Sequence, residues 1–312
     1  MNKNNISKVS KVYKLTKYNK HILKYIFYSI LCILLLILFF KYITIEKFEL
    51  NKCYIICKKN EYKYMEDYIL SFYKKINAKI LIFDNINELP EINKIDIFIF
   101  IQNIPSEILN TINNNNNIYL LNTEQMSRNI TKDTLNTFPK NIKMLDYAKA
   151  NMKYYDGYYV KFLSYQINYD EIYNLPKNKD ICIMTGESDY RRNIINQIIN
   201  KGYNIDIISG WKTERDDKLF TYKILVNISH QEDYNIFESI RCDRCIFNRM
   251  IVISNKKEDM DLYYLKDYMI FEDYDKVPNK AIEVLNNYEM YYKKLGLDTL
   301  DLSKLEVEPV SL

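Results

Sequence analysis

The spacing of apolar positions changes near residue 52. Before it lies one apolar stretch, Tyr25 to Phe40, extended by Ile22, Leu23, Tyr42 and Ile43, with no polar face. About 20 such residues cross a ~30 Å hydrocarbon layer. The pattern therefore predicts a single transmembrane helix over 22–43, with Lys24 and Lys41 at its ends. Bulky Phe39, Phe40 and Tyr42, not the small residues of a cleavage site, argue for a retained anchor over a cleaved signal.

Beyond residue 52, short apolar runs alternate with stretches of helical spacing. Runs at 53–57, 79–83, 96–101, 118–122 and 158–164 read as strands, with helices predicted at 62–75, 105–112, 126–136 and 147–155. A polar stretch, 168–179, reads as a linker. The rhythm then repeats, with strands at 181–185, 203–209, 224–228, 250–254 and 268–271 and helices at 190–200, 214–221, 236–247 and 277–295. Strands alternating with crossover helices imply parallel sheets covered on both faces. The fold class expected is α/β: two Rossmann-like, doubly wound domains after one N-terminal transmembrane helix. The expected division is a basic tail 1–21, anchor 22–43, first domain 50–167, linker 168–179, second domain 180–299 and tail 300–312.

Charge refines the picture. The net charge is +4, yet Lys3, Lys8, Lys11, Lys14, Lys17, Lys20 and Lys24 precede the apolar stretch with no acid among them. The remainder is thus net acidic, which argues against a nucleic-acid partner. The same lysines place the N-terminus in the cytosol and the domains on the lumenal or extracellular side. Asn129-Ile-Thr131 and Asn227-Ile-Ser229 would then be glycosylation triplets. Abundant Asn, Lys, Ile and Tyr reflect compositional bias and carry little functional signal. Cys53, Cys57, Cys182, Cys242 and Cys245 read as core thiols. The lone Cys-x-x-Cys has no second pair, so no metal site is expected.

Candidate chemistry gathers where strands of the second domain end, the edge at which open α/β sheets bind ligands. Gly186 follows one strand and leads to Arg191 and Arg192 in a helix's first turn, where free N–H groups and two cations suit a phosphate. Gly210 and Trp211, the only tryptophan, follow the next strand and offer an aromatic surface. The segment Lys223-Ile-Leu-Val-Asn227 leads to His230, a candidate acid, base or donor. Glu238 and Arg241 follow, and a carboxylate such as Glu238 can accept from two vicinal ribose hydroxyls. Asp259-Met-Asp261 has a metal-binding spacing but lies in a charge run, so a solvated turn is the expectation.

Taken together, 180–272 resembles the donor-binding domain of group-1-like glycosyltransferases with the GT-B fold and is similar to compact glycosyltransferase-like proteins of giant viruses. The residues that carry the resemblance are Gly186 to Arg192, Gly210-Trp211, Lys223 to Asn227, Phe237-Glu238-x-x-Arg241-Cys242 and Met250 to Ser254. Glu124, Gln125 and Arg128 resemble a segment of the acceptor half more weakly. The resemblance implies a membrane-anchored, hexosyltransferase-like enzyme that needs no metal or other cofactor. It would move a sugar from a nucleotide-diphosphate sugar to a hydroxyl of a glycan, protein or lipid acceptor. It further implies donor contacts from Gly186, Arg191, Arg192, Gly210, Trp211, Lys223, Asn227, Glu238 and Arg241, with acceptor-side residues Glu124, Gln125 and Arg128. His230 stands where the family's first paired glutamate belongs, and it is the candidate catalytic residue. That departure supports the alternative of a catalytically inactive, membrane-tethered binding or scaffold protein.

Overall fold

A computed structural model describes residues 24, 27–37, 52–89, 96–112, 117–184, 186, 188–305, 307, 309, 310 and 312. The chain divides into two compact units, 1–51 and 52–312. In the first, residues 27–37 are helical and exposed. No helix among the described residues is long and apolar enough to cross a membrane. The expected basic tail and both ends of the expected span lie outside those residues.

The second unit holds two sheets, parallel at every pairing. The first contains β1 (Cys53–Lys58), β2 (Ala78–Phe83), β3 (Ile97–Ile101), β4 (Ile118–Asn122), β5 (Lys143–Asp146) and β6 (Val160–Phe162) in the order β2-β1-β3-β4-β5-β6. Its central strands are apolar on both faces because both are covered. Ile55, Ile99 and Leu121 point to one core; Ile56, Phe98, Phe100 and Leu120 point to the other. Helix α1 (Lys59–Tyr73) lays Tyr68, Ile69 and Phe72 on the first of these faces. Two shorter helices, α2 (Ser106–Ile112) and α3 (Asn129–Leu135), follow β3 and β4.

The second sheet contains β7 (Lys179–Met184), β8 (Asp206–Ile208), β9 (Tyr222–Asn227), β10 (Ile251–Asn255) and β11 (Ile270–Glu272) in the order β11-β10-β9-β7-β8. Its crossovers are α4 (Asp189–Asn200), α5 (Lys212–Leu219) and α6 (Ser239–Phe247), and α7 (Val277–Asn286) and α8 (Tyr288–Lys294) close the fold. Ser188 caps α4 by accepting from Arg191 N. One buried cluster runs unbroken from the α1 face of the first sheet through Leu163, Tyr165 and Ile167 to Ile224, Val226 and Phe247.

Several elements depart from expectation. Strand β5 has no counterpart in the hydrophobic pattern. The stretch predicted as helix 147–155 is 3-10 helix over Lys149–Tyr154. The helix predicted over 277–295 breaks at Asn287, whose side chain donates to Glu283 O at 2.9 Å. The polar stretch 168–179 is tied down: Tyr173 stacks on Phe220 and donates its backbone N–H to Asn248 Oδ1 at 2.6 Å. In the expected tail 300–312, Leu302, Leu305, Val307 and Val310 pack on the core.

A buried ion cluster joins α1 to α5 and α6. Arg244 contacts Asp67 and Asp216, each at 2.6 Å, and Arg215 contacts the same acids at 2.6 and 2.8 Å. Glu171 lies 4.0 Å from Arg244. Both arginines and Asp216 are buried, so their charges depend on one another for solvation.

Candidate functional site between the strand ends

The carboxyl ends of β7, β9 and β10 share one edge because all three strands run parallel. Neighbouring strands bring Asn227 beside Ser254, and Asn227 Nδ2 donates to Ser254 Oγ at 3.1 Å. Arg191, in the first turn of α4, turns inward rather than out to solvent. Its Nε donates to Ile228 O at 2.8 Å and its Nη1 to Gly186 O at 3.0 Å, with His230 Nδ1 at 3.5 Å. The guanidinium thereby links the loop after β7 to the loop after β9. Burial, and then Arg241, pull its pKa down to about 10, opposed by Glu238; at neutral pH it is still a cation.

Glu238 precedes α6 as its N-cap residue, not within the helix as the pattern predicted. Arg241 Nη1 donates to its Oε2 at 2.7 Å and to Asn227 Oδ1 at 3.4 Å, while Arg191 lies 3.8 Å from the same carboxylate. The Glu238 side chain keeps 24% exposure, so part of its carboxylate stays within reach of solvent. Lys257 completes the group. It donates to Ser229 Oγ at 2.7 Å and to Tyr234 O. Burial draws its pKa down to about 8, opposed by Glu238, Asp259 and Asp233. The sequence pattern did not single out Lys257, which sits in the charge run after β10; its place one turn past a strand end was the available signal.

Other named residues fall elsewhere. Lys223 is the second residue of β9, four residues from Asn227 and roughly 13 Å away along an extended strand. It pairs with Asp180 at 2.8 Å, at the opposite edge of the sheet. Arg192 lies on the outer face of α4, with a half-exposed side chain 3.8 Å from Asp189. Trp211 meets Tyr64 of α1 edge-on at 5.2 Å, and both rings remain exposed. Gly210 has φ of +102°, which favours glycine. A Cβ at Gly186 would meet open space, so sterics do not require glycine there. Asp259 is buried and accepts from Phe237 N at 2.9 Å; it fixes the approach to α6 and is no solvated turn. Asn227 is buried too, so the folded chain cannot present that triplet for glycosylation.

The first sheet supplies the facing side. Gln125, in the loop after β4, accepts from Ile236 N at 3.1 Å. Arg128 lies over the Tyr234 ring at 4.9 Å and pairs with Glu124 at 2.8 Å. Burial raises the pKa of Glu124; Arg128 lowers it and the charge of Glu238 raises it further. The two carboxylates, one from each sheet's edge, therefore sense each other's charge. Asp146 underlies this loop. It accepts from Asn122 Nδ2 at 2.8 Å, Asn151 Nδ2 at 2.9 Å, Ala148 N at 2.8 Å and the Tyr155 hydroxyl. Both asparagines also donate to Glu124 O, at 2.9 and 3.0 Å.

No family model matches the chain. Among curated sequences, protein L140 of Acanthamoeba polyphaga mimivirus, itself uncharacterized, is 31% identical over 246 residues, covering 75% of this chain and 80% of the relative. The chain belongs to the family of that mimivirus protein. Within the L140 family, the mimivirus protein L137 is 30% identical over 268 residues. That alignment covers 82% of this chain and 36% of L137, so the chain spans about a third of the longer relative. Among solved structures, an alpha1,3-fucosyltransferase matches with a TM-score of 0.50 at 11% identity, covering 82% of this chain and 85% of that one. Anabaena Alr3699/HepE, solved with UDP-glucose, matches with a TM-score of 0.51 at 7% identity, covering 78% and 92%. At such identities the likeness gives the fold: this member of the L140 family has the GT-B fold.

Proposed function

We propose that the protein is a glycosyltransferase that moves a sugar from a nucleotide-diphosphate sugar to an acceptor hydroxyl, held at a membrane by residues 22–43 with its N-terminal lysines in the cytosol. One observation carries the reading: Arg191 and Arg241 flank the part-exposed Glu238 at the strand-end edge of the second sheet, with Lys257 held on the adjoining loop by Ser229 and Tyr234. Cations and loop N–H groups there suit the diphosphate, and Glu238 suits ribose hydroxyls. The acceptor oxygen bonds to the anomeric carbon as that carbon's bond to the diphosphate oxygen breaks. The bonding pair leaves with the diphosphate, whose developing charge the three cations stabilise without a metal. The hydroxyl proton passes to the Glu124 carboxylate, whose pKa burial raises toward that of a useful base. His230, 3.5 Å from Arg191, lies on the donor side and helps to orient the guanidinium.

A scaffold reading draws on one specific contact. Arg241 already occupies Glu238 Oε2 at 2.7 Å, a pairing that a ribose would have to share. Thermal denaturation with UDP-, GDP- and CMP-sugars separates the two. A donor at a hundred times its Kd adds about 2.7 kcal/mol and should raise Tm by roughly 5–10 °C in a unit of this size. Glu238→Ala should abolish the rise. If no donor shifts the transition, the scaffold reading prevails.

A further inference from the structure

A separate pocket of about 340 Å³ opens at the carboxyl edge of the first sheet, beneath α3. Leu120, Met144, Leu135 and Phe138 give it an apolar lining, and Glu61, Gln102, Asn103 and Glu124 add polar groups. Its size is at the small end for ligand pockets, ~300–1,000 Å³, suited to a short glycan end rather than a lipid chain.

We propose that this pocket seats the acceptor as a neutral pyranoside, with one hydroxyl donating to Glu61 and the reacting hydroxyl at Glu124. The inference rests on the transferase reading and names its acceptor class. Three observations support it. First, Glu61 Oε2 is buried without a hydrogen-bond partner, a state that a ligand hydroxyl would relieve. Second, Arg128, the cation among the described residues that line the pocket, is paired with Glu124 at 2.8 Å. A pocket with two carboxylates and a committed arginine repels phosphate, sialyl and uronyl groups. Third, a lining that mixes apolar side chains with hydrogen-bonding groups matches a pyranose, which has C–H faces and hydroxyls. Glu124 lines this pocket and also feels the charge of Glu238 at the second sheet's edge, so the acceptor would meet the donor at that residue.

The full-length chain should give saturation-transfer NMR signals with methyl glycosides of glucose, galactose, mannose, fucose, xylose, rhamnose or N-acetylglucosamine, and none with methyl glucuronide. Thr131→Trp, which fills the pocket from its rim, should cut the neutral-glycoside signal at least fivefold, as should Glu61→Gln. UDP or GDP should still raise Tm in both variants, which also reports that they fold. Nucleotide binding with no glycoside signal, or an undiminished signal in Thr131→Trp, overturns the acceptor assignment and leaves the donor site standing. Loss of both activities in the unaltered protein overturns the transferase reading along with it.

Discussion

Arg244→Met tests what holds the layers of the second unit together. The substitution keeps most of the side chain's apolar bulk but removes a guanidinium in contact with Asp67 and Asp216 at 2.6 Å each. Asp67 and Asp216 are then left with Arg215, and Glu171 loses the arginine 4.0 Å away. Removing one partner of a buried pair costs about 3–5 kcal/mol. Asp67 retains 19% exposure, so water recovers part of its share and the lower half of that range is expected. Against a total stability of about 5–15 kcal/mol, this is a large loss. Urea and thermal unfolding at pH 7 should show it as a fall in Tm of roughly 6–15 °C. The deficit should shrink on acidification. Burial already raises the pKa of Glu171, and Arg244 is the group that lowers it most. Without Arg244 it rises further, so the folded variant binds a proton that the unfolded chain has released. Stability is then lost as pH climbs above the ordinary glutamate range and regained below it. A loss under 1 kcal/mol at pH 7, or a deficit that does not change with pH, would refute the reasoning.

Further outcomes are equally specific. Asp146 and Asp243 are both raised to about 7 by burial. Each therefore lowers stability as pH rises from about 4 to 7, with a maximum slope of about 1.4 kcal/mol per pH unit. Asp146→Asn should remove its share of that slope in urea titrations, and an unchanged slope would count against the assignment. Lys257→Met should weaken UDP or GDP binding roughly tenfold to a hundredfold, the worth of a charge-assisted bond, yet leave uridine or guanosine binding unchanged by calorimetry; Arg192→Ala should alter neither. Burial pushes the thiols of Cys53, Cys57 and Cys245 up to about 11, 12 and 12, and Cys182 and Cys242 well above the ordinary value. These five thiols should thus react with a disulfide reagent only in denaturant, and fast labelling of any of them in the native protein would count against this burial.

The strands that the pattern revealed most clearly, β1, β3, β4, β9 and β10, are those buried on both faces, where apolar residues run together. Strand β5 escaped because its last residue is the fully buried Asp146, whose place depends on distant hydrogen-bonding partners. Asn287 broke a long helix without breaking the apolar spacing across it. At the site, Arg191, Asn227 and Glu238 were legible because glycine, strand end and helix start adjoin in the chain. Lys223 was grouped with Asn227 by sequence nearness, although a strand carries its two ends to opposite edges. Lys257 was hidden among other charges, and only the loop from Ser229 to Tyr234 sets it apart. Glu61, a first-turn acid on α1, gave no linear cue, because its isolation follows from packing.

The strand orders bear on how the chain assembles during synthesis. In the first sheet, β1 can be joined by β2 on one side and by β3 through β6 successively on the other. Each new strand thus finds its neighbour already made, and growth can keep pace with the emerging chain. The second sheet is less orderly. Its fourth and third positions, β7 and β9, adjoin each other while β8 goes to the outside. An intermediate ending at β8 consequently exposes the long apolar flank of β7 until β9 arrives, and at that moment a ribosome-bound chain has most need of a chaperone.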